Sequence, residues 1–278
     1  MSAQLLQDPR VVRPAPLPDA GHALVCLAFC GGGTGPYRNW LDLVDGSTEL
    51  ALVCYPGREG RFAEPFAATW DELAEDAAES VLRAADGRPY TLFGHSMGGW
   101  MAYDVAARLE ARGAHAPARL IVSSCNAPDR GVTERDRFPR IEDADGRLLD
   151  WMREIGLLPE YVLADADLSE MAVELMRADI VVRDSYRPAP GVSVGMPVQV
   201  LYGEDDAVIE PAVAEQWARC VRGELRVDRL PGGHFYHQEL WEALPERFAP
   251  RPQESQVPQE SQVPQESQES QESREERS

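Results

Sequence analysis

The pentapeptide Gly-His-Ser-Met-Gly at residues 94–98 carries the most distinctive chemistry in this sequence. A serine between glycines at this spacing is typical of a nucleophile elbow, a tight strand-to-helix turn that lifts the serine hydroxyl clear of a sheet. The flanks agree, because an apolar run precedes the turn and apolar residues recur at helical spacing after it. We therefore predict that Ser96 is a nucleophile, and not merely part of a tight turn.

A serine hydroxyl is a weak nucleophile near neutral pH and needs a histidine base within hydrogen-bond reach. Sites built on this elbow run serine, acid, histidine along the chain. Three of the five histidines lie before or beside the elbow or in a helix-end loop: His22, His95 and His115. This leaves His234 and His237. His234 follows the last apolar run in "PGGHF", where glycines allow the loop to bend inward. We predict His234 as the base and expect His237 on the surface of the final helix.

The acid of the site is predicted to follow a strand at the same end of the sheet. The segment "VQVLYGEDDAV" places Glu204, Asp205 and Asp206 directly after an apolar run. The residue types do not choose among these carboxylates, and at least two of them are expected to lie in a solvated acidic turn.

An oxyanion hole needs two backbone N–H groups. One is predicted to be the amide of Met97, at the start of the helix after the elbow. The second is expected from the loop "FCGGGTG" at 29–35, whose glycines permit close approach of a substrate. Phosphate binding by this loop is disfavoured, because it lacks both G-x-G-x-x-G and the Gly-Lys-Ser/Thr ending of a P-loop.

These residues need a scaffold in which strands alternate with helices. Apolar runs of strand length, mostly continuous as in strands covered on both faces, occur at 23–30, 49–55, 90–94, 119–125, 198–203 and 225–230. Helical patterns lie between them at 69–85, from Ser96 to near Gly113, and at 211–221. The predicted fold class is α/β, with a mostly parallel central sheet flanked by helices.

Residues 126–190 interrupt this alternation with successive helical patterns and no strand between them. We predict a helical lid over the carboxyl ends of the strands, where open α/β sheets bind ligands. The segment 250–278 repeats a Pro-Gln-Glu-Ser unit with few apolar side chains, which predicts a disordered tail. The predicted domains are an N-terminal extension at 1–21, a globular domain at 22–249 that contains the lid, and this tail.

The net charge is −20, and all 27 basic residues are arginines. Nucleic acid is excluded as an expected partner, because phosphate binding needs a positive field. The five cysteines lack Cys-x-x-Cys spacing and lie mostly in apolar runs, so we predict reduced thiols. No metal-ligand pattern, signal-peptide core or long apolar run stands out, so we expect a cytoplasmic protein with no bound metal and no membrane partner.

Several longer segments occur in a distinctive order: "LAFCGGGTGPYRNW", "CYPGREGRFAEP", "FGHSMGGWMAYDVAARL", "LMRADIVVRDSY", "LYGEDD" and "GGHFYH". In this order and spacing they resemble type II thioesterases, the α/β-hydrolases that accompany modular polyketide synthases and nonribosomal peptide synthetases. The resemblance covers residues 22–245. It implies an α/β-hydrolase fold.

The resemblance also assigns roles. It implies that Ser96 is the nucleophile, His234 the general base and Asp206 the acid. In the glycine-rich loop it implies that Cys30 donates the second oxyanion amide, beside that of Met97. The family usually reads Phe-Pro-x-Ala-Gly-Gly in this loop, whereas this chain reads Leu-Ala-Phe-Cys-Gly-Gly.

The implied activity is hydrolysis of the thioester between an acyl group and the phosphopantetheine arm of an acyl or peptidyl carrier protein. Such hydrolysis removes stalled or aberrant units from the biosynthetic enzymes. We expect no cofactor beyond the partner's phosphopantetheine arm, and a monomer. The lid would line an acyl chamber, with plain helix packing as the alternative for each chamber candidate: Trp151, Met152, Met171, Leu175 and Met176.

Other interpretations stay open at this point. A general carboxylesterase or an acyltransferase would use the same three residues, and a catalytically silent carrier-binding module would keep the scaffold alone. Arg58 and Arg61 in "PGREGR" are candidates for contacting a carrier protein or a phosphate, with a structural salt bridge as the alternative.

Overall fold

The computed structural model describes residues 8–137, 139–158 and 160–248. The described residues contain a seven-stranded sheet in the spatial order β1-β3-β2-β4-β5-β6-β7. The strands are β1 (Val11–Val12), β2 (His22–Leu27), β3 (Thr48–Val53), β4 (Tyr90–His95), β5 (Arg119–Ser123), β6 (Val198–Gly203) and β7 (Leu225–Leu230). All neighbours pair in parallel except β1, which runs antiparallel to β3 at the sheet edge. The prediction of a mostly parallel sheet is confirmed.

Strands β2, β3, β4 and β5 are buried along their whole length. Helices cover both faces, which explains why these strands read as continuous apolar runs. The first predicted strand was too long: β2 ends at Leu27, and the chain then turns through Gly31 at φ +73°. Strand β1 was not predicted, because two residues are too few to show a pattern; it lies within the predicted N-terminal extension.

Three helices around the sheet follow the predicted segments to within two residues at each end: α1 (Trp70–Ala85), α2 (Met97–Ala111) and α6 (Val213–Cys220). The short α7 (Gln238–Glu242) corresponds to the expected final helix, whose bounds were not predicted. Helix α1 begins where the Thr69 hydroxyl accepts a hydrogen bond from the amide of Glu72. Helices α1 and α2 pack against each other and against the central strands.

Three further α-helices of the described residues lie between β5 and β6, in the region predicted to form a lid. They are α3 (Asp145–Glu154), α4 (Glu160–Leu163) and α5 (Ala166–Asp184). Helix α5 contacts α1, α3 and α4. None of the helices in the described ranges is long and apolar enough to cross a membrane. The predicted tail at 250–278 lies outside the described residues.

The sheet brings distant loops to one edge. The loops after β2, β4, β6 and β7 all leave from the carboxyl ends of parallel strands. In the register of β6 and β7, Gly203 lies opposite Leu230, so the segments that follow these two residues start side by side. The amide of Asp205 donates to the carbonyl of Gly232 at 2.9 Å. The loops that carry the predicted acid and base are therefore joined directly.

Candidate active site

The turn at Ser96 has the geometry of a nucleophile elbow. Ser96 has φ +53° and ψ −124°, a conformation that L-residues rarely adopt, and its amide donates to the carbonyl of Ser123 at 2.8 Å. A Cβ on Gly94 would lie 1.9 Å from the carbonyl oxygen of Gly98, and a Cβ on Gly98 would lie 2.6 Å from that of Ala28. The glycines at both positions therefore let α2 start in direct contact with the sheet.

Ser96, His234 and Asp206 form a continuous hydrogen-bonded chain. Nδ1 of His234 lies 2.9 Å from Oδ2 of Asp206, and Nε2 of His234 lies 2.9 Å from Oγ of Ser96. A carboxylate only accepts hydrogen bonds, so Nδ1 carries the proton and Nε2 accepts from the serine hydroxyl. This tautomer leaves His234 ready to take the serine proton.

The structure separates the acidic residues that the sequence left open. The Asp206 side chain is fully buried, and its Oδ1 accepts a hydrogen bond from the amide of Val208 at 2.9 Å. Glu204 and Asp205 are exposed, as predicted for two of the three. His237 is also exposed and precedes α7 as its N-cap, in agreement with the expected surface position.

A second histidine lies behind the first. His95 is completely buried, its ring centroid is 5.3 Å from that of His234, and its Nδ1 lies 3.0 Å from Oγ of Ser123. Burial, together with the nearby charge of His234 when protonated, lowers the pKa of His95 well below its ordinary value, so this ring stays neutral. Phe235 contacts both histidine rings and completes the support of His234. Sequence reasoning set His95 aside because it lies beside the elbow.

Met97 and Cys30, the residues predicted to supply the oxyanion amides, line the same cavity as Ser96. Met97 is the first residue of α2, where backbone N–H groups have no partner within the helix. Within the described residues, neither amide donates to a protein acceptor. Burial, and secondarily the charge of Asp179, raises the pKa of the Cys30 thiol to about 12, so this side chain is a neutral thiol and not a competing nucleophile.

A cavity of about 720 Å³, counted with its open mouth, lies over this site. It is lined by Ser96, His234 and, from the lid region, Trp151. Two charged residues that the sequence analysis did not select also line it: Asp136 and Arg183. Both are more than nine-tenths buried. A possible sequence signal for Arg183 was its place on the apolar stripe of α5.

These two charges are held by hydrogen bonds. Asp136 accepts from the side chain of Asn126 at 2.9 Å and from the amide of Thr133 at 2.8 Å, and burial raises its pKa. Arg183 donates from Nη2 to the carbonyl of Pro139 at 2.9 Å. The cavity wall therefore combines an apolar surface with polar groups that are largely satisfied by the protein.

Of the five chamber candidates, only Trp151 lines this cavity. Met152 and Met176 are fully buried in the core, which corrects the prediction in favour of helix packing. Met171 is 43% exposed and Leu175 is half-buried, and neither lines the cavity. Helix α5 buries the stripe that contains Val173, Met176 and Ile180 instead.

Arg58 and Arg61 are buried in salt bridges and do not face solvent. Arg58 pairs with Asp179, and Arg61 pairs with Asp76, each at 2.6 Å. The structural alternative for these arginines is therefore the correct one. Among the described residues, no group of three or more histidine, cysteine or acidic side chains is arranged to hold a metal ion.

The chain is similar in sequence and in structure to known thioesterases. A family model described as a thioesterase domain matches residues 22–250. The solved structure of the type II thioesterase BorB from the borrelidin biosynthetic cluster superimposes with a TM-score of 0.73. The two chains are 32% identical, and the match covers 86% of this chain and 96% of BorB.

Curated relatives include the AMB antimetabolite synthetase AmbE of Pseudomonas aeruginosa, which is 32% identical over 231 residues. The probable cadicidin biosynthesis thioesterase of Streptomyces griseus is 32% identical over 236 residues. Each match covers 82% of this chain, but only 11% of AmbE and 64% of the cadicidin protein. The chain thus spans less than two thirds of the length of either relative.

Proposed function

The chain belongs to the thioesterase domain family, and from this premise we propose that it is a serine thioesterase acting on acyl or peptidyl carrier proteins. It hydrolyses the thioester that joins an acyl group to the phosphopantetheine arm of the carrier. The hydrogen-bonded chain from Ser96 through His234 to Asp206 is the single observation that carries this proposal.

The mechanism follows from the geometry of these residues. Oγ of Ser96 attacks the thioester carbonyl carbon while its proton passes to Nε2 of His234. The amides of Met97 and Cys30 stabilise the negative oxygen that develops. The carbon–sulfur bond then breaks, and the phosphopantetheine thiol leaves with the proton from His234.

Water completes the cycle in a second half-reaction. Nε2 of His234 takes a proton from a water molecule, whose oxygen attacks the acyl carbon held on Ser96. The carbon–oxygen bond to the serine breaks, the proton returns to Oγ, and the free acid departs. Asp206 accepts the hydrogen bond from Nδ1 of His234 throughout the cycle. In this way it orients the ring and stabilises the imidazolium that forms twice per cycle.

The similarity to BorB supports a more specific role. BorB is a type II thioesterase from a biosynthetic cluster, and the match covers nearly all of it. We extend the proposal to editing, in which the enzyme removes stalled or aberrant acyl units during polyketide or nonribosomal peptide biosynthesis. The monomeric state and the cytoplasmic location expected from the sequence remain predictions.

The carrier partner must dock on a strongly acidic molecule. Carrier proteins are usually acidic too, so long-range attraction does not favour the encounter at a net charge of −20. Arg58 and Arg61 do not provide a docking surface, because both are buried in ion pairs. Docking therefore has to depend on exposed arginines elsewhere or on apolar contacts around the cavity mouth.

A comparison of leaving groups tests the proposed function against a general esterase. We expect kcat/KM for an acyl-carrier thioester to exceed that for the matched oxygen ester by at least about tenfold, which is about 1.4 kcal/mol of barrier height. The product should be the free acid even when alcohols or amines are present. Preference for the oxygen ester would identify an esterase, and an ester or amide product would identify an acyltransferase.

A further inference from the structure

The loop at residues 30–34 contains three consecutive glycines, Gly31 to Gly33. Glycine has access to many backbone conformations, so this sequence does not by itself hold the Cys30 amide in one direction. Three charged side chains from other segments of the chain form hydrogen bonds with the loop. We call them the loop clamp: Asp179 from α5, and Arg58 and Glu59 from the segment after β3.

Asp179 holds the first glycine. Its Oδ2 accepts a hydrogen bond from the amide of Gly31 at 2.8 Å, and the residue is only 2% exposed. One turn earlier on α5, Cε of Met176 lies 2.2 Å from the position that a Cβ on Gly31 would occupy. Helix α5 therefore packs directly on the loop, and a side chain at residue 31 would meet the flexible end of Met176 and would also have to adopt the left-handed backbone of Gly31, which has φ +73°.

Arg58 holds the second glycine and orients Asp179. Its Nη1 donates both to the carbonyl of Gly32 at 2.7 Å and to Oδ2 of Asp179 at 3.0 Å, while its Nη2 donates to Oδ1 at 2.6 Å. This bidentate pair is buried on both sides. The rigid guanidinium fork thus holds the carboxylate and one loop carbonyl together through three hydrogen bonds.

Glu59 holds the far end of the loop. Its Oε1 accepts from the amide of Thr34 at 2.7 Å, and its Oε2 accepts from the hydroxyl of Thr34 at 2.7 Å. Glu59 itself has φ +46°, a left-handed conformation that is costly for a residue with a side chain. The residue that binds the far end of the loop is therefore also one with a strained backbone.

The clamp reaches the oxyanion donor through one more hydrogen bond. The amide of Gly32 donates to the carbonyl of Phe29 at 2.9 Å. That carbonyl belongs to the same planar peptide group as the N–H of Cys30. Fixing Gly31 and Gly32 from outside therefore fixes the plane of the Cys30 amide.

We propose, on the basis of the function proposed above, that Asp179 is a positioning residue for the oxyanion hole and that its partners Arg58 and Glu59 act with it. Helix α5 is then a fixed wall of the active site, because moving it would break the buried pair with Arg58 and release the glycine loop. Opening of the lid would have to occur in α3 and α4.

The test replaces Asp179→Asn and measures steady-state kinetics on an acyl-carrier thioester. Loss of the negative charge at residue 179 should lower kcat by at least about tenfold. The upper limit is the 10²–10³-fold loss caused by removing one oxyanion donor. KM should change by less than about threefold. An alkylboronic acid, which forms a tetrahedral anionic adduct with the serine, should bind more weakly in proportion to kcat. A pantetheine thioether, which has no carbonyl oxygen, should bind as it does to the wild type.

Asp76→Asn is the matched control. It weakens the pair with Arg61, in which the arginine is buried and the carboxylate is 17% exposed, and Arg61 contacts the carbonyl of Cys54 and not the glycine loop. The control should lower the unfolding midpoint and leave kcat and boronate affinity unchanged. Glu59→Gln is the second variant; because this residue is exposed, its replacement should fold even where Asp179→Asn does not, and should reproduce the coupled loss of kcat and boronate affinity.

The proposal is overturned by either of two results. One is a kcat within about threefold of wild type in folded Asp179→Asn or, if that variant does not fold, in Glu59→Gln. The other is an equal loss of boronate and thioether affinity, which would indicate general collapse of the site. If the wild-type enzyme hydrolyses the thioester, either of these results overturns only the role of Asp179, and the proposed function stands. If the wild-type enzyme does not hydrolyse the thioester, the proposed function itself is contradicted.

Discussion

Nε2 of His234 lies 2.9 Å from Oγ of Ser96, although 138 residues separate them in the chain. Two sheet features create this contact. The elbow after β4 raises the serine above the sheet edge, and the close packing of the loops after β6 and β7 brings the histidine over it. At Gly203 a Cβ would lie 2.3 Å from the carbonyl oxygen of Gly232, so the absence of a side chain there is what lets these two loops touch.

Replacing the buried acid should stop catalysis without removing the site. Asp206→Asn offers His234 an amide in place of a carboxylate, so the ring can settle in the wrong tautomer and kcat should fall about 10⁴-fold. Asp205→Asn changes the neighbouring exposed carboxylate and should retain activity. Equal losses in the two variants, measured by steady-state kinetics, would contradict the assignment of Asp206.

Trp151 is expected to limit the length of the acyl group. Its ring lines the cavity and lies 6.4 Å from that of Phe235, centroid to centroid. Trp151→Ala should enlarge the cavity and raise the ratio of kcat/KM for octanoyl over acetyl thioesters about tenfold or more. Met171→Ala removes an exposed side chain outside the cavity, so its ratio should match the wild type; a shift of similar size in both variants would argue against a chamber at Trp151.

The buried neutral ring of His95 makes stability depend on pH. Burial lowers the pKa of His95 in the folded state. Below about pH 6.5 this imidazole is therefore protonated in the unfolded chain and still neutral in the folded protein. The free energy of unfolding should therefore fall with decreasing pH, by up to about 1.4 kcal/mol per pH unit from this residue, until the folded ring titrates. Denaturant titrations of wild type and His95→Gln from pH 7.5 to 5.0 measure the difference; parallel pH profiles would show that His95 contributes nothing.

Much of the scaffold was predictable because its signals are local. The strands are buried on both faces and read as continuous apolar runs. The glycines flanking Ser96 indicate that the start of α2 lies so close to the sheet that no side chain fits at these positions. His234 followed from chain order and its glycine-rich loop. Asp206 needed a family resemblance, since its burial depends on the tertiary contacts of a short acidic turn and not on residue type.

The lid region was harder, because its side chains are selected by distant partners. Helix α5 has apolar residues on more than one face, and the sequence did not reveal that Met171 is 43% exposed. Asp179 occupies a buried position on a helix because Arg58, 121 residues away, neutralises it there. Helical periodicity alone cannot identify such a pair. A charged residue on an otherwise apolar stripe does indicate that a buried partner is needed.

The most direct measurement is mass-spectrometric detection of acyl release from a carrier protein loaded with acetyl, propionyl or longer chains. The wild-type protein should return the carrier to its free thiol form and release the free acid. Ser96→Ala should be slower by about 10³-fold or more, since it removes the nucleophile but keeps the binding surfaces. No release from any loaded carrier by the wild type, or equal release by Ser96→Ala, would contradict a serine thioesterase.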